Sequence, residues 1–417
     1  MNNDNMTIDD EGAVRLLAPL RGEPDVRTAV DVPRAMAEGL RRRQLRRWSS
    51  AMAALTLTGV TIGGGSLAVS ALRDSPAPVP KPTTTNTPAV VPTAAAPTGI
   101  TSCTVARLPT GGVEKAVATA GDPSGRWAAG RLYSVQGHPS ETIVWKDGAI
   151  HQRLPLPGAD ADIVDLNPAG VGVANGNDAD DHELAFLYQD GKFTRLRGDA
   201  VSARAINENG VIAGSAGTAE QDPYPIRWAS GAAVPARLPL PPGATSGTTA
   251  DIAEDGTVLG SVATGKKSGT AYLWFPDGTG RYLPLPVMRD GKKATSFSGS
   301  AISNGWVSGE AVYETPDVTM FTPMRYRIST GEFETLTTDI GSAPVISADG
   351  WVAGEGRVSP VMVGAGRTVE LPAYGAKSAG PGDVSYDIRA ISADGHVVVG
   401  YRVGSGVTDD PLRWSCR

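Results

Sequence analysis

The sequence is poor in the residues that carry most enzyme chemistry. Its 417 residues include only two cysteines and four histidines, and neither type recurs at the spacing of a zinc site. There is also no nucleophile elbow, phosphate-binding glycine loop or dinucleotide fingerprint. These absences exclude the motif-bearing enzyme classes, so we predict no catalytic residue and no cofactor, and metal binding stays open.

Positive charge and aromatic side chains are scarce as well. Aromatic residues make up 6% of the chain, and the net charge is −6. Because of this negative balance we expect no nucleic-acid partner. What is abundant is glycine (51 residues) and proline (32 residues), beside an apolar fraction of 41%. This combination indicates a turn-rich β protein rather than a disordered chain.

A short turn motif recurs about seven times and organises the chain. Its best copy runs from residue 346 to residue 354, where apolar strand residues flank the dipeptide Asp349-Gly350. Asp-Gly tolerates the positive φ angles of a tight hairpin, so we predict strand, two-residue turn, strand. The turn glycines are Gly125, Gly170, Gly210, Gly256, Gly305, Gly350 and Gly395, at intervals of 45, 40, 46, 49, 45 and 45 residues. A period near 45 with several short strands predicts an all-β protein, a seven-bladed β-propeller.

Two further positions repeat after each turn glycine. An aromatic residue follows it, and a second glycine-containing turn comes directly after that residue. The aromatic residues are Trp145, Tyr188, Trp228, Trp274, Tyr326 and Trp414, with Val363 in the shortened sixth copy. Each blade then ends in leucine, often Leu-Pro, and a proline there suits an edge strand.

The two ends of the repeat region complement each other. The last copy stops at residue 417 without a Leu-Pro strand, whereas Leu108-Pro109 supplies one directly after residue 103. We therefore predict that the N-terminal strand completes the seventh blade and closes the ring. Cys103 and Cys416 lie on these two segments, so we expect a disulfide between them. The alternative is two unpaired thiols.

The repeat resembles the HAF-type extracellular repeat, in which Ile-Asn-x-x-Gly-x-Val-x-Gly is followed by an Ala-x-x-Trp strand. The best matches begin at Ala205-Ile206-Asn207 and at Ala271, with Trp274 closing the second. The resemblance covers most of residues 104–417 and is weakest in the first, second and sixth blades. It implies a secreted or surface-exposed propeller and implies no particular activity.

The N-terminal region predicts a membrane anchor. Residues 49–72 hold no charge and would reach about 36 Å as a helix, enough to cross a bilayer. Five arginines precede this segment and only Arg73 follows it, so the positive-inside rule places the N-terminus in the cytoplasm. We expect a cytoplasmic tail at 1–47 and a single-pass helix at 48–72, in contact with the lipid bilayer of the cell membrane. The alternative is a signal peptide cleaved after residue 71.

A stalk is expected between the anchor and the propeller. Residues 74–102 contain seven prolines and seven threonines, a composition that favours an extended spacer. We therefore divide the chain into a tail (1–47), a transmembrane helix (48–72), an extracellular stalk (73–102) and a propeller (103–417). This order is similar to that of many actinobacterial envelope proteins.

Candidate binding residues are few. Trp127, Trp306 and Trp351 flank the repeated turn and are candidates for an aromatic ligand face, although packing between blades would also explain them. The acidic residues 175–183 are candidates for calcium ligands, but they lack ordered EF-hand spacing and also suit a solvated loop. Among the four histidines, His138, His151, His182 and His396 occupy different places in the repeat, which argues against a shared metal.

The expected function is therefore non-catalytic. We expect a propeller that binds or senses an extracellular protein, peptide or glycan through its variable loops. One alternative is an envelope enzyme, a polysaccharide lyase or hydrolase, with carboxylates at the channel mouth. Such an enzyme should show ionisable side chains from three or more blades converging in one cleft. Another is a transmembrane signalling protein whose tail docks a cytoplasmic partner through residues 14–20.

Overall fold

A computed structural model describes most of the chain from residue 92 onward. The described residues are 92–97, 99–133, 139–180, 182–217, 222–265, 269–315, 318–356, 358–375, 385–403 and 409–417. The predicted tail, the membrane helix at 48–72 and most of the stalk lie outside them. Among the described residues, no helix is long and apolar enough to cross a bilayer.

The described structure consists of short β-strands. In chain order the first fourteen are β1 (Cys103–Arg107), β2 (Ala116–Gly121), β3 (Trp127–Leu132), β4 (Glu141–Lys146), β5 (Ala149–Pro155), β6 (Ala159–Leu166), β7 (Gly172–Asn177), β8 (Glu183–Gln189), β9 (Lys192–Arg195), β10 (Val201–Ile206), β11 (Ile212–Ala216), β12 (Tyr224–Trp228), β13 (Ala236–Arg237) and β14 (Ser246–Ile252). The others are β15 (Val258–Ala263), β16 (Thr270–Trp274), β17 (Gly280–Tyr282), β18 (Ser296–Ser303), β19 (Trp306–Glu314), β20 (Thr319–Arg327), β21 (Glu332–Thr335), β22 (Val345–Ile346), β23 (Val352–Gly354), β24 (Val361–Gly364), β25 (Arg367–Glu370), β26 (Ser385–Ile391), β27 (Val397–Val403) and β28 (Asp409–Cys416).

Within the described residues these strands form seven antiparallel sheets of four strands each. Blades 1 to 6 are consecutive groups of four strands, beginning with β2, β6, β10, β14, β18 and β22. Blade 7 has the order β1-β28-β27-β26, so the N-terminal strand is its outer edge. The first strands of neighbouring blades contact each other in sequence, and β26 contacts β2, which closes the ring.

The predicted closure and disulfide are confirmed. In the register of β1 against β28, Cys103 lies opposite Cys416, and a disulfide joins the two residues. Strand pairing and the covalent link therefore hold the same edge of blade 7, and the described residues contain no free cysteine.

The repeated turn is longer than predicted in most blades. In blade 6 the Gly350 N–H donates to the Ser347 carbonyl at 3.0 Å, and Gly350 has a φ of +88°. The turn therefore holds Ala348 and Asp349 before a left-handed glycine, which is the three-residue hairpin loop. Blade 5 is the exception, because Asn304 (φ +42°) and Gly305 (φ +81°) form the predicted two-residue turn. We call the side of the ring that carries these seven turns the turn face.

Glycine at the end of the Val-x-Gly motif has a packing reason. A Cβ atom added to Gly214 would lie 2.6 Å from the Trp228 ring and 2.2 Å from the Ser202 carbonyl. Gly130 and Gly260 stand in the same relation to Trp145 and Trp274. The tryptophan of the third strand therefore fits only because the second strand carries no side chain at this point, and all three rings are fully buried.

The last part of the predicted stalk contacts the propeller. Residues 92–97 have no regular secondary structure, as their composition predicts, yet Ala94 packs on the core between blades 5 and 6. Ile100 is 1% exposed and belongs to the core shared by blades 6 and 7. Composition did not indicate this contact, because proline, threonine and alanine suit both a free spacer and a packed extended segment.

Candidate functional site

An open groove lies on the turn face between blades 1 and 2. Its volume is about 280 Å³. We call it the Trp127 groove, lined by Trp127, His151, Gln152, Ala169, Gly170, Val171, Tyr188, Asp190 and Gly191. A similar groove of about 290 Å³ lies between blades 3 and 4, where Val211 is among the lining residues and no tryptophan is.

The Trp127 ring is the main apolar surface of its groove. The ring lies on Gly170 of the next blade, where an added Cβ would come within 2.6 Å of it. The Lys146 ammonium stands 4.6 Å from the ring centroid, and the His151 ring meets it edge-on at 5.0 Å. Trp127 is partly exposed, and its indole N–H has no hydrogen-bond acceptor among the described residues.

The opposite wall of the groove is polar. Gln152 accepts a hydrogen bond from the Tyr188 hydroxyl at 3.2 Å, and its amide presses on Gly191, where a Cβ would come within 2.3 Å. Burial, assisted by the nearby Asp190 carboxylate, raises the pKa of Tyr188, so this hydroxyl stays a proton donor at neutral pH. A planar amide and a carboxylate therefore face a half-exposed indole, an arrangement that binds a neutral ligand with polar groups on one side.

The structure separates the three predicted ligand-face tryptophans. Trp306 and Trp351 are fully buried, and each is covered by the segment that precedes the propeller. The Trp306 indole donates to the Ala95 carbonyl at 3.0 Å, and Ile100 lies beside Trp351 at Gly395. An exposed rim of three tryptophans is therefore not formed, and only Trp127 is accessible.

Four other tryptophans have a structural role that the sequence did not reveal. Each donates its indole N–H to a carbonyl at the end of the preceding blade, next to the repeated leucine. The pairs are Trp145 with Pro109, Trp228 with Arg197, Trp274 with Pro239 and Trp414 with Pro372, at 2.7 to 2.9 Å. The common spacing of Leu-Pro and Trp could have indicated this bond between blades.

A second candidate site is a cluster of charges from blades 7, 1 and 2. Arg131 forms a bidentate pair with Asp162, with both nitrogen–oxygen distances at 2.8 Å. In blade 7 the Asp387 carboxylate accepts from Arg389 at 3.0 Å and from the Tyr401 hydroxyl at 3.0 Å. The Arg389 charge also acts on Asp162, so the two pairs are neighbours.

Burial and charge pairing together set the pKa values of Asp162 and Tyr401 in this cluster. Burial raises the pKa of Asp162 despite the adjacent Arg131. Burial, together with the Asp387 charge, raises the pKa of Tyr401 to about 12, so this phenol is neutral at physiological pH. Each carboxylate already has a guanidinium partner, which leaves neither as a free general base.

Two further carboxylates face the inner strands. Asp165 accepts from the backbone N–H groups of Leu166 and Ile206, and Asp251 accepts from those of Ile252 and Ile302. Burial raises the pKa of Asp251 to about 7, and it raises that of Asp165 well above the usual value, with the Asp251 charge adding to the effect. Because all four bonds go to backbone donors, we assign these carboxylates a structural role.

The acidic loop of blade 2 is held by its own hydrogen bonds. The ligand-type atoms of Asp178, Asp180 and His182 lie within 4.8 Å of one another. However, one oxygen of Asp178 already accepts from the backbone N–H groups of Asp180 and His182, each at 2.9 Å. The histidines do not converge in the described part of the chain, since His151, His182 and His396 lie in blades 1, 2 and 7. His138 lies outside the described residues.

Comparison with known proteins supports the fold. No protein-family model matches the chain. No curated protein sequence is similar to it either. Among solved structures, the β-propeller domain of the Trilobed protease from Pyrococcus furiosus is similar in fold. That match has 11% identity and a TM-score of 0.50, and it covers 73% of this chain and 97% of that one. The chain therefore has the fold of a seven-bladed β-propeller.

Two weaker matches have lower TM-scores. TolB from Acinetobacter baumannii matches at 11% identity and a TM-score of 0.35, over 56% of this chain and 59% of that one. XC5397 from Xanthomonas campestris, described as a gluconolactonase, matches at 13% identity and a TM-score of 0.37, over 80% of this chain and 99% of that one. These matches define no activity for this chain.

Proposed function

We propose that this protein is a non-catalytic binding module whose ligand site is the Trp127 groove. The observation that supports it is a partly exposed indole in a groove, whose N–H has no acceptor among the described residues. Exposed aromatic rings at the centre of a pocket contribute a large share of binding free energy. The ligand is an extracellular protein, peptide or glycan.

The proposed setting is the cell surface. Residues 48–72 would anchor the chain as a single-pass helix, with the N-terminal tail in the cytoplasm and the propeller outside. The arginine-rich flank, the uncharged segment and the disulfide all support this arrangement. We also propose that the blades are repeats of the HAF type, since Asn167 and Asn207 occupy the asparagine position of that pattern.

An envelope enzyme remains the second candidate, because one observation favours it. Charged side chains of blades 7, 1 and 2 meet around Arg131, Asp162, Asp387 and Arg389. Their carboxylates are paired with arginines, so a lyase or hydrolase would need a substrate that breaks one of these pairs. This requirement makes the binding module the better-supported function.

The test is an array experiment with the full-length protein in detergent. We expect binding to a subset of immobilised peptides or glycans, with the signal at least about tenfold weaker for Trp127→Ala. Val211→Ala in the groove between blades 3 and 4 is the matched control and should bind like the wild type. Circular dichroism verifies that both variants are folded.

A parallel assay addresses the enzyme candidate. The same protein is incubated with the array polysaccharides, and new reducing ends or unsaturated products are measured. Product formation that is lost in Asp387→Asn, together with array binding that Trp127→Ala leaves unchanged, would replace the binding module with an enzyme.

A further inference from the structure

The segment before the propeller occupies two grooves of the turn face. Residues 92–97 run across the turn of blade 5, where the Pro92 carbonyl would lie 2.6 Å from a Cβ on Gly305. The Ala95 carbonyl accepts the Trp306 indole N–H at 3.0 Å. Further on, Ile100 fills the space beside Trp351 and Gly395, between blades 6 and 7. The protein therefore shows directly what a turn-face groove with a tryptophan can hold.

Trp306 and Trp127 are equivalent in their surroundings. Each is the first residue of the second strand of its blade, and each ring lies on the turn glycine of the next blade. A Cβ on Gly350 would lie 2.8 Å from the Trp306 ring, and one on Gly170 would lie 2.6 Å from the Trp127 ring. The cross-strand partner of each tryptophan is a cation that stands over the ring, Arg327 at 4.4 Å and Lys146 at 4.6 Å.

The two tryptophans differ in what covers them. Trp306 is fully buried beneath residues 92–97 and its N–H is bonded. Trp127 has the same glycine platform and the same type of cation, but its groove is open. Its indole N–H also has no acceptor in the described part of the chain. The Trp127 groove thus has the same ring, glycine and cation as the Trp306 site, and no described segment covers it.

We infer that the Trp127 groove binds an extended, uncharged, proline- and alanine-rich peptide segment of another protein. This inference rests on the proposed function and specifies its ligand. Residues 92–100 contain no charged side chain, and only small or apolar groups reach the rings they cover. The groove presents charges of both signs, since Asp190 lines it and Lys146 stands over the Trp127 ring, while the nearby Arg126 is paired with Asp147. The expected bond is from the Trp127 indole N–H to a peptide carbonyl.

A fluorescent peptide with the sequence of residues 92–100 is the direct probe. Its binding to the full-length protein is measured by fluorescence anisotropy. We expect saturable binding that weakens at least about tenfold in Trp127→Ala and about fivefold in Trp127→Phe, which keeps a ring but loses the donor. Val211→Ala should change the affinity less than about twofold. A control peptide carrying Ala94→Asp and Ala95→Asp should bind at least about tenfold more weakly than the parent peptide.

The competing outcomes are separable. Binding of neutral oligosaccharides that depends on Trp127, without peptide binding, would overturn this inference and leave the binding module intact. A full-length protein that is dimeric by light scattering and monomeric as Trp127→Ala would show that a second copy fills the groove, which also overturns it. If neither peptides nor glycans bind in a manner that depends on Trp127, the proposed function fails together with the inference.

Discussion

In blades 2 and 3 the residue directly after the first strand has two tasks. In blade 2 the Asn167 side-chain oxygen accepts from the backbone N–H groups of Ala169 and Val171, both at 3.1 Å, which holds the turn. Its amide nitrogen donates to the Asn207 carbonyl of the next blade at 3.2 Å, and Asn207 repeats the pattern toward Ala253. Asparagine recurs here because one side chain both accepts and donates.

Serine and aspartate replace asparagine where only the first task is needed. Ser347 accepts from the Trp351 N–H at 2.8 Å, and Asp122 accepts from the Trp127 N–H at 2.6 Å. In blade 6 the link to the next turn comes from the backbone instead, from the Ala348 N–H to the Ala393 carbonyl. The residue type at this position therefore follows from how the neighbouring turn is bonded.

Gly170→Ala tests whether Trp127 needs the glycine platform. Gly170 has a φ of +79°, and a Cβ there would strike the Trp127 ring. We expect a loss of about 2–4 kcal/mol in the free energy of unfolding, from backbone strain and displacement of the ring. The matched control is Gly148→Ala, with a φ of +80° and open space around it, which should lose only about 1 kcal/mol. Urea denaturation measures both losses, and equal losses would contradict a special requirement for glycine beneath the Trp127 ring.

The first strands of the blades form the inner wall of the ring and carry β-bulges. The register shifts between Ile163 and Asp165 in β6 and between Thr249 and Asp251 in β14. Because a bulge re-aims the following side chain, each aspartate reaches a backbone N–H near the end of the first strand of the next blade, that of Ile206 or Ile302. A carboxylate therefore links blade 2 to blade 3, and another links blade 4 to blade 5.

Asp251 predicts a pH dependence of stability. Its pKa is raised to about 7, so between pH 4 and 7 the folded protein holds a proton that the unfolded chain has lost. Stability should therefore be highest at the acidic end and fall as the pH rises through 7, by at most roughly 4 kcal/mol from this group. Thermal denaturation from pH 5 to 8 should show a smaller decline for Asp251→Asn than for the wild type.

The exposed neighbour Asp255 provides the control for this measurement. Asp255→Asn removes a carboxylate from the turn that follows β14 without touching the bond between Asp251 and Ile302, and it should keep the wild-type pH dependence. An unchanged slope in Asp251→Asn would show that other groups cause the decline. Asp251→Asn should also lose about 1–3 kcal/mol at pH 5, because its amide nitrogen faces a backbone donor.

Ring closure is the property of the whole molecule on which the fold depends. Strand β1 contributes five paired residues to blade 7, and the disulfide joins positions 313 residues apart in sequence. The tie is strengthened by Arg107, which bonds Asp410 at 2.7 Å beside the same edge. Without this closure β28 would become an exposed edge strand.

Removal of the disulfide tests this closure. We expect Cys103→Ala combined with Cys416→Ala to lower the free energy of unfolding by about 2–5 kcal/mol, since the unfolded chain regains its freedom. In the double variant, hydrogen exchange should be faster for the β1 amides than for the β2 amides. A reductant should destabilise the wild type to the same extent and leave the double variant unaffected. Equal stability of the wild type and the double variant would contradict the prediction.

The repeat made most of the fold predictable, whereas the candidate site was only partly so. Turn chemistry and periodicity are local, so Gly350 and its six counterparts identified the blades. The predicted two-residue turn at Asp349-Gly350 is wrong, because the loop is closed by the carbonyl of Ser347 and therefore also includes Ala348. Trp127 was identified as a candidate, but the groove around it also needs Gln152 and Tyr188, which carry no distinguishing motif.

The sequence by itself determined the number of blades, their order and the strand that closes them, because each repeat encodes its own hairpins and the cysteines mark the joined ends. Tertiary structure decided which tryptophans are accessible. Trp127, Trp306 and Trp351 each follow a turn glycine within one or two residues, and this local pattern does not indicate which of them is exposed. Their difference comes from residues 92–97 and Ile100, which are over 200 residues away from Trp306 and Trp351 in sequence and, within the described part of the chain, lie against these two rings.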